Sequence, residues 1–299
     1  MPGLLLVDKS KNKTSYGAVA CIKRISGEKR IGHTGTLDPM ATGVLPILLG
    51  RATALSSYLL DADKCYTARV KLGIETDTCD ITGNILQENS VNVSAQQLDD
   101  TLKKFVGKIK QQPPMFSALK KDGVRLYELA RRGETVDIPE RKIEVFSINL
   151  LSPLNDENEF EIETHVSKGT YIRSLARDIG RALGCGATLT ELRRTATSGF
   201  NIEDCVPLDT LTPDNLSEYI LSEETVVMQF RAVQITEKQA VRFCNGGQLD
   251  LDRVKIDNLY DGELVRVRYN DRFLGLGYAD LQASQLAIKC VIRDFKTEE

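Results

Sequence analysis

Apolar and polar positions repeat with different periods along the first quarter of the chain, and these periods predict its first elements. The run of large apolar residues Leu4–Val7 is typical of a short buried strand. Thr14 or Ser15 can cap a helix that runs to about Ile25, because apolar residues then recur on one helix face. Residues 64–73 alternate between apolar and polar side chains, which predicts a strand with one buried face.

The middle of the chain mixes further helix and strand patterns. They predict, in chain order, a helix over 94–105 opened by the capping box Ser94–Gln97, strands over 141–152 and 158–167, and a helix over 171–183 ended by Gly184. Two segments, 32–43 and 108–124, are predicted to be loops because Gly, Pro and turn residues interrupt any regular pattern. Helices and strands without a regular strand–helix–strand rhythm favour an α+β fold with antiparallel pairing.

The length of 299 residues fits one large domain followed by a smaller one. Pro207–Glu224 is acidic and contains two prolines, so we interpret it as a linker. Beyond residue 228, short strand patterns follow one another at 264–269, 273–278 and 286–292, with a hairpin turn at Asn270-Asp271. The last part of the chain is therefore predicted to be a small β-rich domain.

The composition excludes several classes of protein. Apolar runs are too short for a membrane helix of about 20 residues, and the start of the chain lacks a secretory signal, so we expect a cytoplasmic protein. Seven scattered cysteines without a C-x-x-C pair, and two histidines, argue against a zinc site. Phosphate-loop and dinucleotide fingerprints are missing as well. We therefore expect chemistry that uses side chains alone, without a metal or cofactor.

Charge is unevenly distributed although the net charge is only −3. Basic residues exceed acidic ones by five in 1–60, by six in 103–142 and by four in 165–194. The stretch 203–224 holds seven acidic residues and no lysine or arginine. A basic surface on one side, with tyrosines and a phenylalanine among the basic residues, indicates an RNA partner, although charges that merely solvate helix faces remain the alternative.

The loop at 32–43, with the sequence GHTGTLDPMATG, is the strongest candidate for chemistry. It contains Asp38 and one of the two histidines, and it lies within a basic segment. A carboxylate surrounded by cations is expected to keep a low pKa and remain ionised. Such a group can act as a nucleophile or an electrostatic stabiliser at a sugar C1′. A structural turn at Asp-Pro is the alternative interpretation.

A series of ordered motifs resembles the TruB family of bacterial tRNA pseudouridine synthases over most of residues 3–200. The motifs are GHTGTLDPMATG at 32–43, GRAT at 50–53, KCYTA at 64–68, LG at 72–73 followed by Thr76, Thr78, Asp80 and Gly83, QPPMFSALKKDG at 112–123, Tyr127 with ARRG at 130–133, SKGTYIRSLARDIG at 167–180, and LRRT at 192–195. Their number and order make the resemblance specific, whereas the 32–43 loop alone indicates only a relative of the pseudouridine synthases.

The resemblance implies both a fold and a reaction. The fold is α+β, with a central mixed, largely antiparallel sheet flanked by helices. A catalytic domain spans residues 1–222, with an insertion at 103–142 that clamps the T loop, and a PUA-like RNA-binding domain spans 228–299. The implied reaction converts uridine 55 in the T loop of tRNA to pseudouridine, with no cofactor. Both nucleophilic addition at C1′ and a glycal route stay open.

Site residues also carry over from the resemblance. Asp38 matches the essential aspartate, Arg173 the arginine that pairs with it, and Tyr66 the tyrosine that stacks on the target base. The resemblance implies four substrate-binding neighbours, namely His33, Tyr171, Leu192, and Lys9 as support for the active-site loop.

The sequence departs from the family near the N-terminus. Ser10 stands in place of the family proline, and Asn12 in place of its glycine. We expect Asn12 to tolerate the left-handed backbone that a glycine adopts there.

Other functions are weighed against this one. A tRNA-folding chaperone would need no catalysis, so the joint presence of Asp38, Arg173 and Tyr66 disfavours it as the whole function. The guide-RNA-dependent relative of the family lacks the insertion at 103–142. A retaining glycosidase would need a second carboxylate in the site. We expect a monomer that binds the T-stem-loop of tRNA, with no protein partner and no membrane.

Overall fold

A computed structural model describes residues 2–295 of the chain. Twenty strands and six α-helices lie within this range. The helices are α1 Ser15–Ser26, α2 Ser57–Leu60, α3 Ala95–Lys104, α4 Leu126–Arg131, α5 Ile172–Ala182 and α6 Glu237–Cys244. None of the helices described within 2–295 is long and apolar enough to cross a membrane.

A large mixed sheet forms the first domain. It contains eleven strands: β1 Gly3–Lys9, β2 Ile31–His33, β3 Thr42–Leu49, β4 Lys64–Leu72, β7 Gly107–Gln111, β10 Arg141–Ser152, β11 Glu159–Val166, β12 Ala187–Thr197, β13 Phe200–Asn201, β14 Val206–Pro207 and β15 Ile220–Leu221. The main order is β14-β1-β3-β12-β4-β11-β10-β7. Only the pairs β1–β14 and β3–β12 are parallel, so the prediction of a mixed, largely antiparallel sheet is confirmed.

Two short ribbons stand apart from this sheet, and a second sheet follows near the end of the chain. The ribbons pair β5 Ile74–Thr76 with β6 Ile85–Glu88, and β8 Lys120–Lys121 with β9 Val124–Arg125. The second sheet has the order β16-β18-β19-β20-β17, with strands β16 Arg231–Gln234, β17 Leu249–Asp250, β18 Leu264–Tyr269, β19 Arg272–Asp280 and β20 Gln285–Val291. The predicted β-rich C-terminal domain is therefore confirmed.

Helix ends follow the capping chemistry of the sequence. Thr14 accepts a hydrogen bond from the Gly17 N–H and opens α1. Both halves of the capping box are made between Ser94 and Gln97 at the start of α3. Gly184 adopts a positive φ of 81° just beyond α5 and ends that helix as predicted.

Strand β1 is buried on both faces, which explains why its apolar residues run consecutively instead of alternating. Leu5 and Val7 belong to the main core beneath the helices. Leu4 and Leu6 belong to a second core that also contains Phe273, Leu276 and Ile292 of the C-terminal domain. The two domains therefore pack directly against each other across β1.

Both segments predicted to be irregular loops contain regular structure. The two ends of the 32–43 segment belong to strands β2 and β3, so only residues 34–41 are irregular. The 108–124 segment contains β7, which pairs with β10, and the ribbon of β8 and β9. These strands show no apolar alternation by which the sequence could identify them. Pairing with neighbouring strands through backbone hydrogen bonds holds them in place, and a side-chain pattern does not reveal such pairing.

The segment Pro207–Glu224 is not a free linker as predicted. Its short strands β14 and β15 both pair with β1. Its apolar side chains are buried in the main core, namely Leu208, Leu211 and Leu216. Acidic residues face outward between these leucines, so the composition resembles a linker while the chain closes the edge of the sheet.

Candidate active site

Asp38 lies on the short connection between β2 and β3, and Arg194 of β12 fixes both ends of that connection. The buried guanidinium of Arg194 donates from Nη2 to the Gly35 carbonyl at 2.8 Å and from Nε to the Val44 carbonyl at 2.7 Å. Gly43 has a φ of 105°, and a Cβ there would lie 2.2 Å from the Arg194 carbonyl oxygen. A glycine is therefore required where the loop rejoins the sheet.

Lys9 supports the same loop from the end of β1. It is fully buried, and its ammonium donates to the carbonyls of Ser10, Lys13 and Pro39 at 2.9, 2.7 and 3.4 Å. Burial lowers the pKa of Lys9 to about 8. All three partners are backbone oxygens, so in the free chain the ammonium of Lys9 is bound to the backbone around the Asp38 loop.

The departures from the family near the N-terminus fit into this support. Asn12 has a φ of 66°, as expected for a residue that replaces a glycine, and its N–H donates to the Pro39 carbonyl at 2.8 Å. Ser10 donates to the Asp209 carboxylate, which also pairs with Lys13. Side-chain contacts with Asp209 thus hold the turn where the family has a proline.

The carboxylate of Asp38 is paired with the guanidinium of Arg173 at the start of α5. Arg173 Nη2 donates to Asp38 Oδ1 at 2.9 Å, and Nε lies 2.8 Å from Oδ2. The Nε–H is not aligned for a hydrogen bond within the described chain, so this second approach is an ionic contact. The contact orients a carboxylate whose side chain is still 33% exposed, and the predicted pair is brought together.

Arg173 itself is 4% exposed and joins three separate segments. Its Nη1 donates to the Thr78 carbonyl at 3.0 Å and lies 3.6 Å from Asp80 Oδ2. Its Nη2 also donates to the Phe116 carbonyl at 2.9 Å. One guanidinium therefore links the Asp38 loop, the turn around Asp80 and the base of the insertion.

The electrostatic balance at Asp38 differs from the expectation of a low pKa. Burial is the largest influence and raises the pKa of this carboxyl above its ordinary value. Arg173 and Lys9 lower the pKa, whereas the nearby carboxylate of Asp80 raises it. The expectation counted the surrounding cations but included neither the loss of hydration nor the second carboxylate.

Tyr66 lies in β4, which is separated by one strand, β12, from the strand β3 that follows the Asp38 loop. In β4 it pairs with Arg194 of β12, which in turn pairs with Gly43 of β3. Tyr66 is 6% exposed and shares the main core with Leu37, the residue before Asp38. Leu192, two residues before Arg194 on β12, is buried in the same core. Tyr66 and Leu192 therefore belong to the apolar core that also holds Leu37, the residue before Asp38.

Tyr171 immediately precedes α5, and a buried glutamine fixes its backbone. The Tyr171 N–H donates to Gln111 Oε1 at 2.8 Å, and Gln111 Nε2 donates to the Tyr171 carbonyl at 3.1 Å. The guanidinium of Arg141 lies 5.9 Å from the centre of the Tyr171 ring. Burial raises the pKa of the Tyr171 phenol, so its O–H stays protonated at neutral pH.

His33 is the last residue of β2 and pairs with Ile47 of β3. Burial and the charge of Arg194 lower the pKa of His33, so the ring is neutral at neutral pH. Its Nδ1 is buried and has no hydrogen-bond partner within residues 2–295.

The insertion has a small core of its own. Leu126, Leu129 and Ile138 are buried together, which gives the segment packing independent of any RNA. Around this core the basic side chains are exposed, namely Lys120, Lys121, Arg125, Arg131 and Arg132. Two of these, Arg125 and Arg131, lie 5.9 and 5.4 Å from the ring centre of Tyr127. The insertion therefore presents cations and an aromatic ring, the groups that bind RNA.

Three residues that position the site were not predicted from the sequence. Gln111 and Arg194 hold the backbones of Tyr171 and the Asp38 loop, and the Phe116 carbonyl accepts from Arg173. Because these contacts involve backbone atoms across long sequence separations, no local pattern signals them. Within the described part of the chain, no group of three or more His, Cys, Asp or Glu side chains could hold a metal ion.

Two protein-family models match consecutive parts of the chain. Residues 23–172 match the TruB family pseudouridylate synthase N-terminal domain, and 173–228 match the tRNA pseudouridylate synthase B C-terminal domain. The tRNA pseudouridine synthase B of Clostridium tetani is 41% identical over 278 residues, 93% of this chain and 95% of that protein. That of Azoarcus sp. is 42% identical over 279 residues, 92% of this chain and 90% of that protein.

Solved structures show the same architecture. A chain of the H/ACA RNP bound to a substrate RNA containing 2′-deoxyuridine aligns with a TM-score of 0.70 and 26% identity, covering 97% of this chain and 85% of that one. A chain of the archaeal box H/ACA sRNP Nop10-Cbf5 complex aligns with a TM-score of 0.69 and 28% identity, covering 98% and 86%. With the sequence relatives, these likenesses show that the chain belongs to the TruB family of pseudouridylate synthases.

Proposed function

We propose that this chain converts a uridine of tRNA to pseudouridine, and that its target is U55 of the T loop. The observation that carries the proposal is the Asp38 carboxylate held by Arg173 on a loop fixed at both ends by Arg194. The relatives from Clostridium and Azoarcus, which align over nearly their whole lengths, are named tRNA pseudouridine synthase B and support tRNA as the substrate.

The reaction breaks the N1–C1′ bond of uridine, turns the base, and forms a C5–C1′ bond. Asp38 is the group proposed to start it, either by attack on C1′ or by removal of the C2′ proton in a glycal route. In both routes the carboxylate must be ionised, and Arg173 stabilises that form against the cost of burial. The site needs no external reactant, because the bond that breaks and the bond that forms belong to one nucleotide.

Tyr66 and Leu192 are proposed to receive the base. A uridine inside an RNA stem-loop must leave its stack before its glycosidic carbon becomes accessible. These side chains belong to the same core as Leu37, the residue before Asp38, and their apolar surfaces suit the flat face of a pyrimidine. Tyr66 then stacks on the uracil, and transfer of the C5 proton at the end of the reaction is a second role that its phenol could serve.

RNA binding outside the pocket is proposed for the insertion and the last domain. The exposed cations of 103–142 contact the phosphates of the T-stem-loop. His33 and Tyr171 contact nucleotides near the flipped base, and the domain at 228–299 contacts a more distant part of the tRNA. We further propose that the chain acts as a monomer without guide RNA or protein partner.

Release of tritium from tRNA labelled with 5-³H-uridine tests the proposal. We expect release by the purified chain alone, in the presence of EDTA, on full tRNA and on an isolated T-stem-loop. A stem-loop with cytidine at position 55 is expected to release nothing from that site. Asp38→Asn is expected to bind RNA but to release no tritium.

The outcomes separate the alternatives. Release that requires an added guide RNA would favour the guide-dependent relatives. Tight tRNA binding with no release by either variant would overturn the enzymatic proposal and leave the chaperone function.

A further inference from the structure

Tyr16 is an aromatic side chain that protrudes into solvent from the first turn of α1. Its exposed fraction of 78% is the largest among the exposed large apolar and aromatic side chains of residues 2–295. In the described part of the chain this side chain makes no hydrogen bond, ion pair or ring contact. The residues one helical turn further on, Val19 and Ala20, are small and leave the ring uncovered. The free chain therefore presents flat apolar ring surface to water, where a ligand could cover it.

A single exposed tyrosine is common on protein surfaces, but the position of this one is fixed relative to Asp38. Its neighbour Ser15 is buried. The Ser15 hydroxyl accepts a hydrogen bond from the Leu37 N–H at 2.8 Å and donates to the Leu37 carbonyl at 3.1 Å. Tyr16 and Asp38 each lie one residue from this hydrogen-bonded pair, so their Cα atoms are within roughly 15 Å of each other.

The surface around Tyr16 suits a polyanion. Helix α1 has no acidic residue in its first turn, so the partial positive charge of its N-terminus is not offset there. Lys11 is exposed on the turn before the helix. Lys13 is also near, although it pairs with Asp209, which Ser10 contacts as well. An aromatic ring beside positive charge is a combination by which proteins hold unpaired nucleotides, with the ring stacked on a base and the cations near phosphates.

We infer that Tyr16 stacks on an unpaired base of the bound RNA loop, a base other than the target uridine. This inference rests on the proposed function, because it assigns a second base-binding position on the same RNA. The Asp38 carboxylate is partly exposed, and a stem-loop that brings its uridine there must cover the surrounding surface, which includes Tyr16. Stacking is expected to add affinity without taking part in the chemistry, since the ring is separated from Asp38 by Ser15 and Leu37.

The chain contains no tryptophan, which gives a direct probe of stacking. Tyr16→Trp places the only tryptophan at this position, and its fluorescence should be quenched by an isolated T-stem-loop, because a stacked base contacts the indole. Tyr260→Trp is the matched control, since Tyr260 is 68% exposed but belongs to the C-terminal domain, for which we propose contact with a more distant part of the tRNA. We expect little quenching in this control. Stem-loops with an abasic site at each loop position in turn identify the base, because quenching of Tyr16→Trp should be lost at one of them.

Affinity and kinetics separate stacking from other roles. Tyr16→Ala should raise the Kd of the stem-loop by about 5-fold or more, the effect of one lost stacked base, whereas Tyr16→Phe keeps the ring and should bind like wild type. The slope of log Kd against log salt should stay the same, because no phosphate contact is lost. The KM for tritium release should rise in Tyr16→Ala while kcat is unchanged. The Tm without RNA should match wild type, because the side chain is exposed.

The outcomes distinguish this inference from the proposed function. Wild-type affinity in Tyr16→Ala, or binding of the stem-loop to Tyr16→Trp without quenching, would overturn the inference even if the wild type releases tritium. Quenching that persists with every abasic loop would overturn it as well, and so would a loss of affinity in Tyr16→Phe equal to that in Tyr16→Ala. A wild type that binds the stem-loop but releases no tritium would instead contradict the proposed function.

Discussion

A single nitrogen, Nη2 of Arg173, donates both to the Asp38 carboxylate and to the Phe116 carbonyl, each at 2.9 Å. The orientation of the Asp38 carboxylate is therefore tied to the position of the segment 103–142. A movement of the base of the insertion would change the contact that holds the carboxylate. One side chain, Arg173, thus links the proposed clamping of RNA to the orientation of the Asp38 carboxylate.

The first prediction concerns Arg173→Lys. A lysine carries the charge but cannot reach Asp38, Thr78 and Phe116 together, because it lacks the planar fan of donors. We expect the single-turnover rate to fall by about 100-fold or more, in line with the loss of a preorganised donor in other active sites. Circular dichroism checks that the variant folds. Arg177→Lys, on the next turn of the same helix, is the control and should retain most of the activity.

The second prediction concerns the pH dependence set by Asp38. Because burial raises the pKa of Asp38, its carboxyl should become protonated at a pH above 3.8. If Asp38 acts as proposed, kcat/KM should decline there on the acid side. A carboxyl whose pKa is higher in the folded than in the unfolded chain destabilises the fold as pH rises through the folded value. Wild type should therefore lose stability relative to Asp38→Asn between acidic and neutral pH. Urea unfolding at several pH values measures this difference, and a constant difference would contradict it.

The third prediction concerns Lys9. Its contribution to the free energy of unfolding should increase with pH at alkaline pH, whereas that of Asp38 decreases with pH at acidic pH. Its pKa is about 8 in the folded chain and 10.5 in the ordinary state, so between these values the unfolded chain binds more protons. Stability contributed by this group should therefore rise with pH from about 8 to 10.5. Urea unfolding of wild type and Lys9→Met across this range tests it, because the stability of wild type should rise relative to that of Lys9→Met. Activity of Lys9→Met should be low at every pH, because three loop carbonyls lose their donor.

Gln111 gives the fourth prediction. Replacement by leucine keeps the apolar bulk but removes both hydrogen bonds to the Tyr171 backbone. We expect a loss of about 2 kcal/mol in the free energy of unfolding and a lower kcat/KM, because Tyr171 and the start of α5 lose their anchor. Gln112→Leu is the neighbouring control, since that side chain is exposed and makes one hydrogen bond, to the Ile138 carbonyl at 3.2 Å. Equal losses in the two variants would contradict the prediction.

The fifth prediction concerns the charge of the insertion. Lys120→Glu combined with Lys121→Glu should weaken binding of the isolated T-stem-loop and reduce the dependence of log Kd on log salt by about one unit per lost phosphate contact. The same exchange at the exposed pair Lys238 and Lys289 of the C-terminal domain is the control. Titrations between low and moderate salt supply both slopes. Identical slopes for the two double variants would exclude the insertion as the stem-loop contact.

Prediction from the sequence worked where a local signal exists. The capping residues Thr14 and Ser94 located the starts of two helices. Strand β3 was not predicted, because its apolar run contains Pro46, and a proline within such a run argues against a strand. The Pro207–Glu224 segment was misinterpreted because composition does not show which of its residues are buried. Exposed Asp209 and Asp214 alternate with buried leucines, and Glu223 and Glu224 are themselves buried and paired with Arg293 and Arg266.

The candidate site was predictable only in part, for a different reason. The Asp38–Arg173 pair spans 135 positions in the sequence, so only the resemblance to a family connected the two residues. The contacts of Gln111 and Arg194 involve backbone atoms, which leave no trace in composition or spacing. The raised pKa of Asp38 depends on burial, which charge counting along the chain does not capture.

The double-sided burial of β1 makes Gly3–Lys9 a wall shared by two folding units. Neither the catalytic sheet nor the C-terminal domain can expose its side of that strand without uncovering apolar surface on the other. Heat or urea should therefore melt both units in one cooperative transition. Translation makes this strand more than 260 residues before its partners Phe273 and Ile292, so its apolar face must stay uncovered until they emerge from the ribosome.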